Sequence, residues 1–219
     1  MEQIGLSVNS NSEKFLVPSP VTKKKIPKPV SVASKDVKRE SIPVLQENVY
    51  DDIKNVIFHA GSAIERKPSL YIDKKEEDLR DVFLLFLETR YDSTSGVGEA
   101  FNKKGKTDIL LKYSKDGSNL FVAECKFWRG KKSLLDAIDQ LLGYLTHRDS
   151  KTALMVFVDQ KELTNVIDTA KQEIVTHNNY KRFVQETHET SFSYEMCLPE
   201  DSKKVIKMEL IFFHFPKKS

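Results

Sequence analysis

GKTDILLKYSKDGSNLFVAECKFWRGKKSLLDAIDQLLGY, residues 105–144, reads as strand, turn, strand and helix. Residues 106–113 and 120–127 are two β-type runs. Between them Lys115-Asp116-Gly117-Ser118 is a turn signal, with Asp-Gly the usual hairpin pair. Residues two apart in a strand share a face. Glu124 and Lys126 therefore point one way, and Phe121, Ala123 and Cys125 point the other way, into a core. Asp108 stands near the start of the first strand. Antiparallel register sets it opposite the end of the second, where Glu124 lies. Two carboxylates and a lysine are thus expected on one side of a sheet whose composition otherwise demands burial.

Burying two carboxylates together is unfavourable without a cation. Oxygen ligands with room for water suit Mg²⁺ or Mn²⁺, which can lower the pKa of a bound water and hold a phosphate oxygen. Lys126 is suited to orient an attacking water or to stabilise charge in the transition state. The competing reading is that Asp108 and Glu124 are ordinary exposed acids of an edge hairpin. The full pattern, Asp followed by Glu-x-Lys on the next apolar strand and then a helix, is more specific than either acid alone.

In that pattern the stretch resembles the PD-(D/E)xK nuclease superfamily, with its restriction-endonuclease-like fold. Asp108 matches the family aspartate, with Thr107 where the motif name has proline. Glu124-Cys125-Lys126 matches Glu-x-Lys. Part of that superfamily carries a Gln and, four residues on, a Tyr in the following helix, and Gln140 and Tyr144 stand at that spacing, one turn apart on one face. The segment from about Glu76 to Asp149 is also similar to bacterial nuclease-like proteins with GKTDIL and AECKFW signatures. The resemblance implies metal-dependent hydrolysis of phosphodiesters, with Asp108 and Glu124 as ligands and the Cys125 carbonyl as a backbone ligand. It also implies a glutamate from the first helix completing the site. Glu76 and Glu77 are the candidates. Glu76 lies three residues before Leu79 and seven before Phe83, so it extends the apolar stripe and is preferred. Glu77 aligns with Asp81, Leu84 and Glu88. Both are also acids of a kind favoured at a helix start. Glu99, on an expected strand over 97–103, is a weaker metal candidate.

The net charge of the 219 residues is +3, which by itself announces no polyanionic partner. Its distribution is more informative. Residues 103–132 hold 9 basic and 3 acidic side chains, and Asp108 and Glu124 are two of the three acids. A basic surface around an acidic centre suits a phosphate backbone. Lys103, Lys104 and Lys106 flank the approach to Asp108, as phosphate contacts or as plain solvated lysines. Trp128, Arg129, Lys131 and Lys132 form an aromatic and basic exit from the Glu-x-Lys strand, and Arg148 follows the next helix. Trp128 is read either as a stacking group or as a packing residue.

Residues 1–45 hold 8 basic and 4 acidic side chains and five of the eight prolines, and read as a flexible basic tail or linker. Residues 46–219 read as one domain. Helices are expected over 47–64, with Gly61 ending or interrupting the first, over 73–90, over 133–147 with Ser133 as N-cap, and over most of 161–185. Strands are expected over 151–158, a run buried on both faces, and over 191–198 and 204–215, joined by a turn at Pro199-Glu200-Asp201-Ser202. Two cysteines build neither a disulfide framework nor a zinc cluster, and a reducing cytoplasm fits. No apolar run approaches a membrane span, and no Gly-rich phosphate loop points to a nucleotide cofactor. The five histidines lack metal-ligand spacing.

The expected fold is α/β, a mixed central sheet in the order helix–β–β–β–helix–β with an added C-terminal helix and hairpin. The expected activity is that of a Mg²⁺- or Mn²⁺-dependent deoxyribonuclease. By family analogy it would act in bacterial defence against foreign DNA. The alternatives are a nuclease acting on RNA and a non-catalytic nucleic-acid-binding or dimerising module of the same fold. A homodimer is an open possibility.

Overall fold

The structure, a computed structural model, describes residues 23–24, 30–31, 43–91, 101–102, 108–112 and 119–217. In chain order the elements are β1 (Val30–Ser31), β2 (Pro43–Val44), α1 (Glu47–Glu65), a 3₁₀ turn (Pro68–Leu70), α2 (Glu76–Arg90), β3 (Phe101–Asn102), β4 (Ile109–Lys112), β5 (Asn119–Phe127), α3 (Lys131–Gly143), β6 (Lys151–Val158), α4 (Leu163–Ile174), β7 (Tyr180–His188), β8 (Ser191–Leu198) and β9 (Asp201–His214). Seven strands form one mixed sheet in the order β3-β4-β5-β6-β9-β8-β7. Its centre, β5-β6-β9, is parallel. Antiparallel pairs extend it on both sides.

The sheet is covered on both faces, and alternation along the strands sorts side chains between the two layers. Phe121, Ala123 and Cys125 of β5 join Met155, Phe157 and Phe213 under Ile53 and Ile57 of α1 and Phe83 and Leu87 of α2. Val122, Leu154, Val156 and Phe212 face the other way, against Leu134, Ile138 and Leu141 of α3 and Val166 and Ala170 of α4. All eight residues of β6 are buried, as its unbroken apolar run requires for a central strand. Glu124 and Lys126 share the parity of Val122, so the sequence directs them to the α3 side.

The helices start and end for local reasons. At α2 the Asp78 carboxylate reaches back to the Lys75 N–H at 2.9 Å, and three acids stand in the first turn, where the helix dipole favours them. α3 begins two residues earlier than expected. Its N-cap is Gly130, whose φ of 100° suits glycine, and Ser133 lies inside the first turn. Gly61 does not end α1. It sits within the helix where a Cβ would come 1.9 Å from the Phe213 ring, so its role is the close approach of α1 to β9.

Two other expectations change. Residues 180–188 form strand β7 and not the end of a helix. β7 is an edge strand paired only with β8, its side chains mostly exposed, so it lacks the apolar alternation that marks a strand. The C-terminal addition is therefore a helix and a three-stranded meander. The apolar stripe of α2, expected through Leu79, Val82, Phe83, Phe86 and Leu87, is rotated: Leu84 is buried and Phe86 is 39 % exposed. Within the 1–45 segment, β1 pairs with β2, and Lys24 donates its backbone N–H to the Arg90 carbonyl at 2.8 Å while its ammonium meets Asp52 at 2.9 Å. Among the described residues no helix is long and apolar enough to cross a membrane.

Candidate active site

The β4–β5 ladder pairs Ile109 with Ala123, so Asp108 comes opposite Glu124 as the hairpin register requires. Past that pair, the described residues put no strand beside this edge of β5. Cys125 and Phe127, two residues apart, present their N–H groups along that edge. Carboxylates take them. Asp108 Oδ2 accepts from Cys125 N at 2.8 Å, and Glu76 Oε1, from the first residue of α2, accepts from Phe127 N at 2.8 Å. In a strand the N–H and C=O of one residue face the same side, so the Cys125 carbonyl faces these carboxylates too.

Glu124, the residue before Cys125, is 1 % exposed. Its Oε1 accepts from Gln140 Nε2 of α3 at 2.5 Å and meets Lys126 Nζ at 3.0 Å. Gln140 also bonds the Tyr144 hydroxyl at 2.6 Å. The Glu124 Oε2 atom is buried and has no hydrogen-bond partner among the described residues. Burial, and then the charge of Asp108, push the Glu124 carboxyl up to about 7 against the pull of Lys126. Burial works against the Lys126 ammonium, but the Glu124 carboxylate outweighs it and holds its pKa above the usual lysine value. Lys126 Nζ is also 3.9 Å from Glu76 Oε2.

The hairpin and the two helices thus bring together Glu76, Asp108, Glu124, Lys126, Gln140 and Tyr144. Glu77, the next residue of α2, is exposed. The Cys125 thiol is fully buried, and burial followed by the Asp108 and Glu124 charges raises its pKa well above the usual thiol value, so only its carbonyl is a candidate ligand. One residue of the site was not anticipated. Arg80 of α2 is 2 % exposed, and its guanidinium lies 3.4 Å from Asp108 Oδ1 and 2.7 Å from Asp81 Oδ1. Its signal in the sequence was an arginine one turn after Glu76, beside Leu79 and Phe83 in the apolar stripe.

The surrounding basic residues divide. Trp128 is 6 % exposed and packs against the α3 layer, so it is a packing residue and not a surface stacking group. Arg129 is exposed, 3.0 Å from Asp159, with its guanidinium 5.0 Å from the Phe127 ring centre. Lys131 pairs with Glu173 at 3.3 Å, and Lys132 and Arg148 are exposed. Glu99, Lys103, Lys104 and Lys106 lie outside the described residues.

Among the described residues no three His, Cys, Asp or Glu side chains gather closely enough to hold a metal ion. Glu76 Oε1 is engaged by the β5 backbone, and its Oε2 faces the Lys126 ammonium. What the site offers is a pair, Asp108 and Glu124, with an orphaned buried carboxylate oxygen and a backbone carbonyl on the same edge. This all-oxygen set fits a divalent cation that keeps much of its water, as Mg²⁺ does. In comparisons with known proteins, no family model matches the chain, and neither does any curated protein or solved structure.

Proposed function

We propose that the chain is a metal-dependent nuclease of the PD-(D/E)xK, restriction-endonuclease-like kind, hydrolysing phosphodiester bonds of DNA. The observation that carries this reading is the meeting of Asp108, Glu124 and Lys126 where β4 and β5 pair, with one oxygen of the buried Glu124 unpartnered among the described residues. A structural ion pair would have both carboxylate oxygens satisfied. A fold kept only for binding would have no need of two acids and a lysine converging there.

Asp108 and Glu124 would hold Mg²⁺ or Mn²⁺, which when bound supplies positive charge for a phosphate oxygen and acidifies a coordinated water. The protein's own groups have separable parts. Cys125 N–H and Arg80 fix the Asp108 carboxylate. Gln140, steadied by Tyr144, fixes Glu124. Lys126 keeps its proton beside Glu124 and offers donors to the oxygens that gain charge at phosphorus. Glu76 holds the end of β5 and faces the Lys126 ammonium.

The test is plasmid cleavage by wild type and by Lys126→Ala, each with Mn²⁺ and with a chelator. Nicking or linearisation that needs the metal and is lost in the variant is the expected result. Folded wild-type protein that leaves DNA intact but cleaves RNA would move the substrate to RNA. Cleavage of neither would sink the nuclease reading and leave the binding module.

A further inference from the structure

β5, β6 and β9 run parallel, and their carboxyl ends open on one pocket of about 560 Å³. Phe127 closes β5, Asp159 follows β6 and Phe215 follows β9. Ligands of open α/β sheets bind outside the carboxyl ends of the strands, and the volume falls in the range of small-molecule sites. The floor is apolar. Behind it the buried Tyr71 and Phe215 rings stack with centres 5.0 Å apart and an interplanar angle of 11°. Phe127 is partly exposed, with the Arg129 guanidinium over its ring. The rim is cationic: Lys74, Arg129 and Lys217 are all exposed lining residues. Asp159 serves two of them at once, at 3.0 Å from Arg129 and 3.0 Å from Lys217, so one carboxylate leaves the pair with positive charge to spare. The remaining lining acid is the exposed Asp73.

A partly exposed Phe127 ring beside three exposed cations suits a base with its phosphates. The pocket adjoins the candidate active site along the chain of β5. Phe127 lines it, the Phe127 N–H is held by Glu76, and Lys126 is the residue before. We infer that this pocket receives one unstacked nucleotide of a single strand whose backbone then crosses the carboxyl end of β5 to the Asp108 and Glu124 carboxylates. The inference rests on the nuclease reading for its substrate class. It narrows that class to a single strand or a frayed end, because a base still paired and stacked in a duplex cannot enter a pocket, and extracting it costs about a few kcal/mol.

The test reads binding without cleavage. Fluorescence anisotropy in chelator follows a labelled oligothymidylate of about twelve nucleotides, alone and annealed to its complement. Wild type is expected to bind the single strand at least ~10-fold more tightly than the duplex. Lys74→Glu with Lys217→Glu is expected to lower single-strand affinity about 10-fold and to flatten its salt dependence. Phe127→Leu, which keeps the apolar fill, is expected to weaken single-strand binding several-fold with the melting temperature held. Equal binding of duplex and single strand, no binding of either, or single-strand affinity unmoved by the double charge reversal would overturn the inference. Pocket-dependent binding without any metal-dependent cleavage would remove the nuclease reading and leave the pocket standing. Cleavage with binding indifferent to the pocket variants would do the reverse.

Discussion

Cys125 donates its backbone N–H to Asp108 Oδ2 at 2.8 Å, so the acid just before β4 is fastened to the edge of β5 by a main-chain bond. That bond does not depend on the charge of Asp108. Asp108→Asn, with its amide oxygen accepting from Cys125, is expected to keep the fold while losing at least ~10²-fold in metal-dependent cleavage. Asp108→Ala loses the acceptor as well and leaves Arg80 with Asp81 alone, which should lower stability by about 1–3 kcal/mol. Paired measurements of cleavage and thermal melting separate the two. Equal melting losses in both variants would show that the Cys125 bond does not matter to the fold.

Arg80 touches Asp108 Oδ1 and not the Glu124 side of the site, so it is a positioning residue. Arg80→Gln is expected to weaken Mn²⁺ affinity about 10–100-fold, the usual effect of losing a group that orients a ligand. Arg80→Lys, which restores the charge but not the planar fork, should recover part of that loss. Calorimetric titration of Mn²⁺ into the three proteins checks the order. Unchanged affinity in Arg80→Gln would reduce the arginine to a packing role.

Gly61 faces Phe213 across the contact between α1 and the sheet. Gly61→Ala would drive a methyl into a fully enclosed ring, and the ring is itself packed on Phe83 and Phe157. The expected loss is about 1–3 kcal/mol, with part recovered by Phe213→Leu in the same chain. Denaturant unfolding measures both. A neutral Gly61→Ala would show that α1 can lift from β9 at little expense.

The centre of the fold was legible because its signals are local. Two apolar runs with a turn signal between them predict the β4–β5 pairing, that pairing sets Asp108 opposite Glu124, and strand parity sends Glu124 toward the helix that carries Gln140. Residues 151–158 were legible because a strand buried on both faces needs an unbroken apolar run. β7 was not, since an edge strand with solvent along most of its length has no pattern to reveal it. Arg80 was missed because its function depends on two acids that flank it only in space or on one exposed side. Trp128 could be read either way: its composition suits a nucleic-acid surface, and only its place after β5 turns it under α3. The fine geometry of the carboxylates was likewise beyond sequence. Spacing brings acids to one edge but does not say which oxygens the backbone will occupy.

Glu124 gives the sharpest pH prediction. Its carboxyl is pushed up to about 7 in the folded, metal-free protein, by burial first and by Asp108 second, against an ordinary value of 4.5. Between those values the folded chain binds more protons than the unfolded chain, so this group makes stability fall as pH rises from about 4.5 to about 7 and adds no further slope above. The full effect is on the order of 3 kcal/mol. Glu124→Gln cannot titrate, and the difference between its melting temperature and that of wild type should therefore move in favour of the variant from pH 5 to pH 8. A divalent cation should reverse this. It competes with the proton for the carboxylate, so Mg²⁺ should raise the wild-type melting temperature more at pH 8 than at pH 5.5 and leave Glu124→Gln nearly unmoved. A wild-type-to-variant difference flat across that range would show that Glu124 does not titrate there. A Mg²⁺ response that persists in Glu124→Gln would move the ion away from this glutamate.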